Sequence, residues 1–366
     1  MSKILFIASS VYYKCDGYRT RIDLEIEKLK ELHEVSLFLP QVDKDINFPT
    51  GIRIIKYPTN YKMKFHYVYN NAKFYSSLNI FLEKEHPVVI AESLIPAIKS
   101  YKLSKKNKCK FVFDCHGTEP SEFRLNNPGI KGKILYYLLS FLEKKVVKNS
   151  DLVVTVTKKQ FDFFNVKNNN VVFPMMPTSE FLVDETFRDE IREMIGIKSH
   201  EIVYVYSGQN QKWQMCEETC DLFKKIQSKD RNARLLILTG CKEYFKNLVE
   251  KKGINNAIIM SVPHHDVPKY LDACDFGFCI RNSSIINRFA SPTKVLEYVS
   301  RNVVPILSPY VGDFSELLVE EQLAYVVEGE ELPDFVRSNC CGRRFVDSMT
   351  KQKVNEYINA INSMEI

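Results

Sequence analysis

FGFCIRNSSIINRFASPTKVLEYVSRNVVPIL, residues 276–307, decides the fold. It opens on a short apolar run, FGFCI, the pattern of a strand buried on both faces. A polar loop rich in Asn, Ser and Arg follows. Ser291-Pro292-Thr293 then marks a helix start, with Ser as the cap and Pro in the first turn. That helix carries Lys294 and Glu297 in its first two turns and is expected to end near Arg301-Asn302. A second apolar run, VVPIL, closes the unit, and a Ser-Pro turn and Gly312 follow it. Strand, loop, helix, strand is a parallel unit whose helix N-terminus points to the carboxyl edge of the sheet. Free N–H groups and the helix dipole at that place favour a phosphate. Arg281 and Lys294 add positive charge, and Glu297 is placed to accept bonds from a ribose diol. An ordinary capped helix packed on a sheet, with Glu297 solvated, would carry the same local pattern.

The same alternation extends in both directions. Upstream come IVYVYS, a helix CEETCDLFKKIQ, RLLILT, a helix near Glu243 to Lys252, NAIIMS and VPHHDVPKYLDACD. In the first half, the runs from Ile4 to Ala8, VSLFL, IRIIKY, PVVIAES, FVFDCHG and LVVTVT are strands. Helices such as IDLEIEKLKEL lie between them. Around residues 165 to 190 the periodicity fails, with NNN, a strand VVFP and then two prolines in MMPTSEFLVDETF. The domain boundary is therefore set at 173/174, giving domains 1–173 and 174–346. The last segment, about 347–366, is helical and is expected to cross back onto the first domain. About six strands alternate with helices in each half. The expected class is α/β, two doubly wound parallel-sheet domains with a cleft between facing carboxyl edges.

The bulk properties agree with two globular domains. The chain has 366 residues, 45% hydrophobic and 26% charged, enough for ample cores. A net charge of +6 is too mild for a nucleic-acid binder and suits an anionic ligand or an acidic membrane surface. The ten cysteines form no CxxC pair and no zinc spacing. Several, such as Cys109, Cys115, Cys274 and Cys279, sit in or beside apolar runs and read as buried thiols of a reducing compartment. MSKILFIASS is a first strand and not a signal peptide, and no window approaches 18 uninterrupted apolar residues. The expected location is the cytoplasm, with peripheral contact at the inner face of the membrane.

Candidate chemistry collects at strand ends. Gly17, after the first strand, can admit a ligand close to the backbone, and Arg19 and Arg21 beside it are candidate acceptor contacts. Asp114, His116 and Gly117 close the FVFDCHG strand, and a histidine there is well placed to meet a ligand. Gly208-Gln209-Asn210-Gln211-Lys212-Trp213 closes the second half's first strand, and its Gly and Lys suit a diphosphate. In VPHHDVPKY, Val262, Pro263, His264 and Val267 form a rim for a nucleotide base, with Asp266 as a helix cap. His264 and His265 lack a third metal ligand at close spacing, and the Asp43/Asp45 pair sits in a polar connection. No metal site is expected. Residues 57–75 interleave aromatic and basic side chains, Tyr67 among them, as an acceptor surface or as a helix with its aromatics inward. In KGKILYYLLSFLEKKVVKN, residues 131–149, packing on the sheet by Ile134, Leu135, Leu138, Leu139, Leu142 and Val146 accounts for the pattern. Its lysines remain available to an anionic membrane.

With YSGQNQKW, VPHHDVPKYLDACDFGFCIR and ASPTKVLEYVSRNVVPIL on the page, the chain resembles the retaining glycosyltransferases of family 4. The resemblance covers nearly the whole length and is strongest from about Ile202 to Phe314. It implies the GT-B fold, two Rossmann-like domains with the donor against the second and the acceptor against the first. It implies sugar transfer from a nucleotide sugar, a UDP-sugar first and a GDP-sugar next, with retention and without an essential metal or cofactor. The acceptor would be a glycan or a lipid-linked precursor of a bacterial surface polysaccharide. By position, Glu297 matches the ribose-binding glutamate, Lys212 the lysine on the leaving diphosphate, His116 the histidine near the donor sugar and Gly17 the first-loop glycine. Arg281, Ser291, Pro292, Thr293 and Lys294 fall in the segment that holds phosphate and sugar hydroxyls, and Gly208 and Gln209 in the diphosphate loop. Two departures stand out. Phe289 occupies the earlier place of the family's Glu-x7-Glu pair, and Gln209 stands where an arginine is frequent. A sugar-nucleotide epimerase on the same fold, or a non-catalytic nucleotide-sugar-binding scaffold, are the competing readings.

Overall fold

The computed structural model describes residues 2–14, 17–44, 46–58, 72–165, 169–328, 332–336 and 342–364. The chain divides into two compact units. One comprises residues 1–175 together with 352–366, and the other residues 176–351.

The first unit is built on a seven-stranded sheet. Its strands are β1 (Lys3–Ile7), β2 (Glu34–Pro40), β3 (Arg53–Tyr57), β4 (Val88–Glu92), β5 (Phe111–Cys115), β6 (Leu152–Thr155) and β7 (Asn169–Val172), in the order β3-β2-β1-β4-β5-β6-β7. Every pairing is parallel; Ile4, for example, faces Val35 on one side and Val88 on the other. The helices are α1 (Gly17–Leu29), α2 (Ala72–Glu85), α3 (Leu94–Lys106), α4 (Glu119–Asn126), α5 (Ile130–Asn149) and α6 (Lys158–Phe164). The strands are apolar without alternation because helices cover both faces of the sheet. Leu5, Ile7, Val89, Phe111, Phe113 and Val153 form one core layer with Phe74, Leu78, Leu82, Leu94 and Tyr101 from α2 and α3.

In the second unit, β8 (Ile202–Ser207), β9 (Ala233–Leu238), β10 (Ala257–Met260), β11 (Phe276–Cys279), β12 (Val304–Leu307) and β13 (Tyr325–Val326) form a parallel sheet in the order β10-β9-β8-β11-β12-β13. Around it run α7 (Arg188–Met194), α8 (Cys216–Lys229), α9 (Lys242–Lys251), α10 (Val267–Asp272), α11 (Ile285–Arg288), α12 (Thr293–Ser300) and α13 (Phe314–Glu320). One face of the sheet packs Tyr204, Tyr206, Phe276 and Phe278 on α8 and α9, and the other packs Val203, Val205 and Leu236 on Leu271 and Tyr298. In both sheets the order reverses beside the first strand of the unit, which opens a crevice at the carboxyl edge there.

The last helix, α14 (Gly342–Asn362), starts in the second unit and ends in the first. In the first unit Tyr357 stacks on Phe173 at 5.0 Å and donates its hydroxyl to Glu25 at 2.7 Å, while Asn362 bonds His33 at 2.9 Å. Two arginine clusters pin the loops of the second unit. Arg301 meets Asp272 through two hydrogen bonds of 2.8 and 2.6 Å and also donates to the carbonyls of Val183 and Glu185. Arg188 and Arg192 hold opposite oxygens of Asp275 at 2.7 and 2.8 Å.

Several local expectations are corrected. Helix α12 takes Pro292 as its N-cap, with no side-chain cap, so the N-cap position falls one residue after Ser291 and Pro292 precedes the first turn. Asp266 likewise makes no cap bond; its carboxylate pairs with Lys269. On α5 the stripe expected to pack on the sheet is split, because the buried face runs through Gly132, Glu143, Val146 and Val147. Ile134 and Leu138 are exposed instead. The helix has apolar residues on two faces, and periodicity alone does not distinguish which one the sheet covers.

Candidate active site

In the second unit the loop after β8 and the start of α12 come together. Gly208 has φ +147, a backbone conformation that disfavours a side chain, and a Cβ there would lie 3.1 Å from Lys294 Nζ. Lys294 is buried, donates to Gln214 Oε1 at 2.9 Å, and lies 4.3 Å from the Tyr206 ring centroid. Tyr206 in turn donates its hydroxyl to the Gln209 carbonyl at 2.6 Å, which ties the loop to the strand below it. Burial pushes the Lys294 ammonium down to about 8, with Arg281 nearby adding to the effect. An anion would relieve both penalties.

Arg281 is also buried. Its Nη1 donates to the Trp213 carbonyl at 2.6 Å, and its backbone N–H donates to Ser308 Oγ at 2.8 Å. Its Nε has no hydrogen-bond partner among the described residues. A buried guanidinium N–H left unmatched is costly unless a ligand or water completes it. Glu297, on the same helix as Lys294, accepts from His264 Nε2 at 3.2 Å, and this hydrogen bond raises the imidazole above its ordinary range. His264 also lies 5.4 Å from the Phe181 ring. Thus α12 presents a cation in its first turn and a carboxylate one turn on.

In the first unit a cavity of about 360 Å³ opens at the carboxyl ends of β1, β4 and β5. Ser9, Tyr18, Ser93, His116, Glu119 and Glu122 supply its polar groups. His116 bonds Glu92 through Nε2 at 2.7 Å, and its ring lies tilted against that of Tyr18 with centroids 5.0 Å apart. Tyr18 links Ser9 and the Glu92 carbonyl. Ser93 is held at φ +76, a strained conformation for serine, at the cavity wall. Burial pushes the Glu119 carboxyl up to about 7, although it accepts from the Leu94 N–H.

Beneath His116 lies a buried ionic cluster. Arg21 grips both oxygens of Asp114 at 2.8 and 2.9 Å, donates to the Phe173 carbonyl, and lies 2.9 Å from Glu25. Glu25 and Glu92 are held well above the carboxylate range, first by burial and then by the charge of Asp114. Glu92, Asp114 and His116 are close enough together to hold a metal ion. The guanidinium of Arg21 already supplies the cation that these carboxylates need, so the set fits a structural ion cluster better than a metal site.

The comparisons follow this geometry. The family profile described as "Glycosyl transferases group 1" matches residues 187–338, and "Glycosyltransferase Family 4" matches residues 17–164. The chain belongs to glycosyltransferase family 4. Its two parallel-sheet units are those of the GT-B fold. WaaG, a glycosyltransferase involved in lipopolysaccharide biosynthesis, is 14% identical with a TM-score of 0.64, over 98% of this chain and 92% of WaaG. Sucrose-phosphate synthase from Thermosynechococcus elongatus is 12% identical with a TM-score of 0.70, over 100% and 95%. Anabaena Alr3699/HepE, solved in complex with UDP, is 9% identical with a TM-score of 0.68, over 100% and 94%. No curated protein matches the sequence significantly.

In this glycosyltransferase the expected site residues fall into three groups. Gly208, Arg281, Lys294 and Glu297 converge on one edge of the second unit, and His264 joins them through Glu297. Thr293 opens α12, while Pro292 and Ser291 lead into it. Lys212 is exposed on a short turn after Gln211, and the Gln209 side chain meets Cys241. Val262 and Val267 pack into the hydrophobic core, so of the expected rim only Pro263 and His264 are exposed. His116 lines the first-unit cavity, and Gly17 is the first residue of α1. Arg21 is not an acceptor contact, since the buried ion cluster engages its guanidinium. Arg19 is committed to Asp23, to the Asn47 carbonyl and to the Tyr12 ring. Tyr67 and Asp45 lie outside the described residues. Phe289 is buried, so the apolar ring occupies core rather than an open sugar subsite. Sequence reasoning passed over Glu92, Tyr18 and Gln214. Glu92 left one signal, a carboxylate closing the apolar run VVIAE; Gln214 left none.

Proposed function

We propose that this glycosyltransferase moves a sugar from a nucleoside-diphosphate sugar, UDP-linked first and GDP-linked next, to a hydroxyl of a glycan or lipid-linked acceptor, with retention at the anomeric carbon. The setting we assign is cytoplasmic assembly of a bacterial surface polysaccharide. The observation that carries the reading is the pairing of Lys294 with Gly208 and Gln214, beside Arg281, whose Nε has no partner among the described residues. Two cationic side chains, a glycine-lined approach and the start of α12 form a cradle for a diphosphate. Glu297 one turn along suits the ribose diol. Solved complexes of Alr3699/HepE with UDP and with UDP-glucose support a nucleotide-sugar ligand for this fold.

In the step we assign, the acceptor oxygen bonds to the anomeric carbon on the face from which the diphosphate leaves. The anomeric carbon–phosphate oxygen bond breaks, its electron pair goes to the diphosphate, and a phosphate oxygen takes the acceptor proton. Lys294, Arg281 and exposed Lys212 stabilise the charge that develops on the leaving group, which makes a metal dispensable. In the first unit, His116 is oriented by Glu92 and Tyr18 toward a cavity rich in hydroxyl and carboxylate groups, a match for sugar hydroxyls. The test is a thermal-shift panel of UDP, GDP, ADP and CMP with their sugars, with and without EDTA. Selective stabilisation by UDP and its sugars, unchanged by EDTA, is expected. No stabilisation at millimolar ligand would overturn the donor site, and loss of the shift with EDTA would overturn metal independence. Donor hydrolysis without acceptor separates the enzyme from a scaffold.

A further inference from the structure

Glu297 is held by one oxygen and open at the other. Its Oε1 accepts from His264 Nε2 at 3.2 Å, while Oε2 makes no hydrogen bond among the described residues. An ionised carboxylate can only accept, so Nε2 carries the proton of that bond. The carboxylate is nearly buried, with 8% of its side chain exposed, whereas the imidazole above it is 57% exposed.

Three segments far apart in the chain meet at this bond. The turn His264–Asp266, after β10, supplies the donor, and α12 supplies the acceptor. The third segment, Ser179–Leu182, braces the imidazole with the ring of Phe181, whose centroid is 5.4 Å away. Phe181 is itself fixed, because it is fully buried in the core that holds Tyr298, the next residue of α12. The charges nearby leave the pair to itself. The hydrogen bond to Glu297 holds the imidazole above its ordinary range, and Glu180 adds to the effect. Asp266 is engaged by His265 and Lys269, and Lys294 by Gln214.

Glutamate is among the side chains that lose most freedom on being fixed. Held through Oε1, Glu297 has lost that freedom before any ligand arrives, and Oε2 keeps its lone pairs for the ligand. A preorganised acceptor binds more tightly and discriminates better than a mobile one. We propose that His264 is a positioning residue for the donor: it fixes Glu297 so that Oε2 meets the ribose diol, and thereby sets the preference for a ribonucleotide over its 2′-deoxy form. The proposal rests on the reading of Glu297 as the ribose contact, and it gives His264 a role other than the base rim expected from the sequence. A rim residue acts on both nucleotides alike. A positioning residue acts only on the one that carries the hydroxyl.

The experiment is titration calorimetry of the full chain with UDP and 2′-deoxy-UDP at pH 7, or with the guanosine pair where the thermal-shift panel selects GDP. The parent is compared with Glu297→Ala, His264→Ala, His264→Gln and the double variant H264A/E297A, with folding checked by melting temperature. The readout is the ratio of the two Kd values, in which the contributions of Lys294 and of the diphosphate cancel. The parent is expected to bind the 2′-deoxy nucleotide about ten- to a hundredfold more weakly, the worth of a hydrogen bond to a charged group, and Glu297→Ala to bring the ratio near one. His264→Ala is expected to lower the ratio by about fivefold or more at an unchanged melting temperature. His264→Gln, whose Nε2 can donate to the same oxygen, is expected to restore it. In the double variant the histidine substitution adds nothing to the loss of Glu297. A ratio that His264→Ala leaves at the parent value overturns the proposal. So does an equal loss for both nucleotides, which would return His264 to the base rim. A ratio that Glu297→Ala leaves unchanged overturns the ribose reading itself, and the proposal with it.

Discussion

Lys294 offers the sharpest test of the donor site. In the free enzyme burial holds its ammonium at about 8 instead of 10.5. It is then about nine-tenths charged at pH 7 and about one-tenth charged at pH 9. A diphosphate seated against Nζ restores the proton, so nucleotide binding is linked to proton uptake over this range. If the bound-state lysine stays protonated, the Kd for UDP rises about tenfold from pH 7 to pH 9, or ~1.4 kcal/mol. Lys294→Arg keeps the charge at every pH in the range, because a guanidinium does not titrate there. Its Kd is expected to be flat, and Lys294→Met is expected to bind weakly at both ends. Titration calorimetry at fixed ionic strength reads all three, and ionisation of the nucleotide itself cancels between variants. The linkage has a second sign. The unfolded chain holds the Lys294 proton up to 10.5, so this group's contribution to the stability of the free enzyme rises with pH between about 8 and 10.5. A wild-type Kd that is constant across the range, or a Lys294→Arg variant with the wild-type slope, would refute the placement of Nζ on the diphosphate.

Three further outcomes are expected. Arg21→Met removes the guanidinium that faces Asp114, Glu25 and Glu92 in the first core, and urea unfolding at pH 7 should show a loss of about 3–5 kcal/mol; a loss below about 1 kcal/mol would deny the cluster its structural role. Glu143 lies buried on α5 with one carboxyl oxygen unpartnered among the described residues, and burial pushes it up to about 8, so folding takes up a proton between pH 4.5 and 8 and stability falls with pH across that window. Glu143→Gln should therefore stabilise increasingly over the same window, with a ceiling of about 5 kcal/mol, and an equal melting temperature for both proteins at pH 5 and pH 8 would sink the reasoning. Phe289→Glu would place a carboxylate in a buried position, and we expect a loss of stability of a few kcal/mol with no gain in turnover; a more active variant would mean that the site is open to the sugar.

What the sequence determined by itself is the alternation. Runs such as FGFCI, VVPIL and IVYVYS are four to six apolar residues closed by turn residues, and that is a local signal. Strands buried on both faces need no information from elsewhere to be recognised. The helix start at Thr293 was legible for the same reason, and with it the pairing of Lys294 and Glu297 on one helix. Tertiary structure decided what each polar or amphipathic residue does with its neighbours. Arg19 and Arg21 are two residues apart and looked alike, yet one joins a surface pair and the other is sealed under His116 by carboxylates from β4, β5 and α1. Tyr357 closes that cluster on Glu25 from 332 residues away. Helix α5 is apolar on two sides, and only the packing of the sheet shows which side remains bare. Burial and pairing depend on what the rest of the chain brings to a position, and neither hydrophobic period nor residue type at that position carries this information.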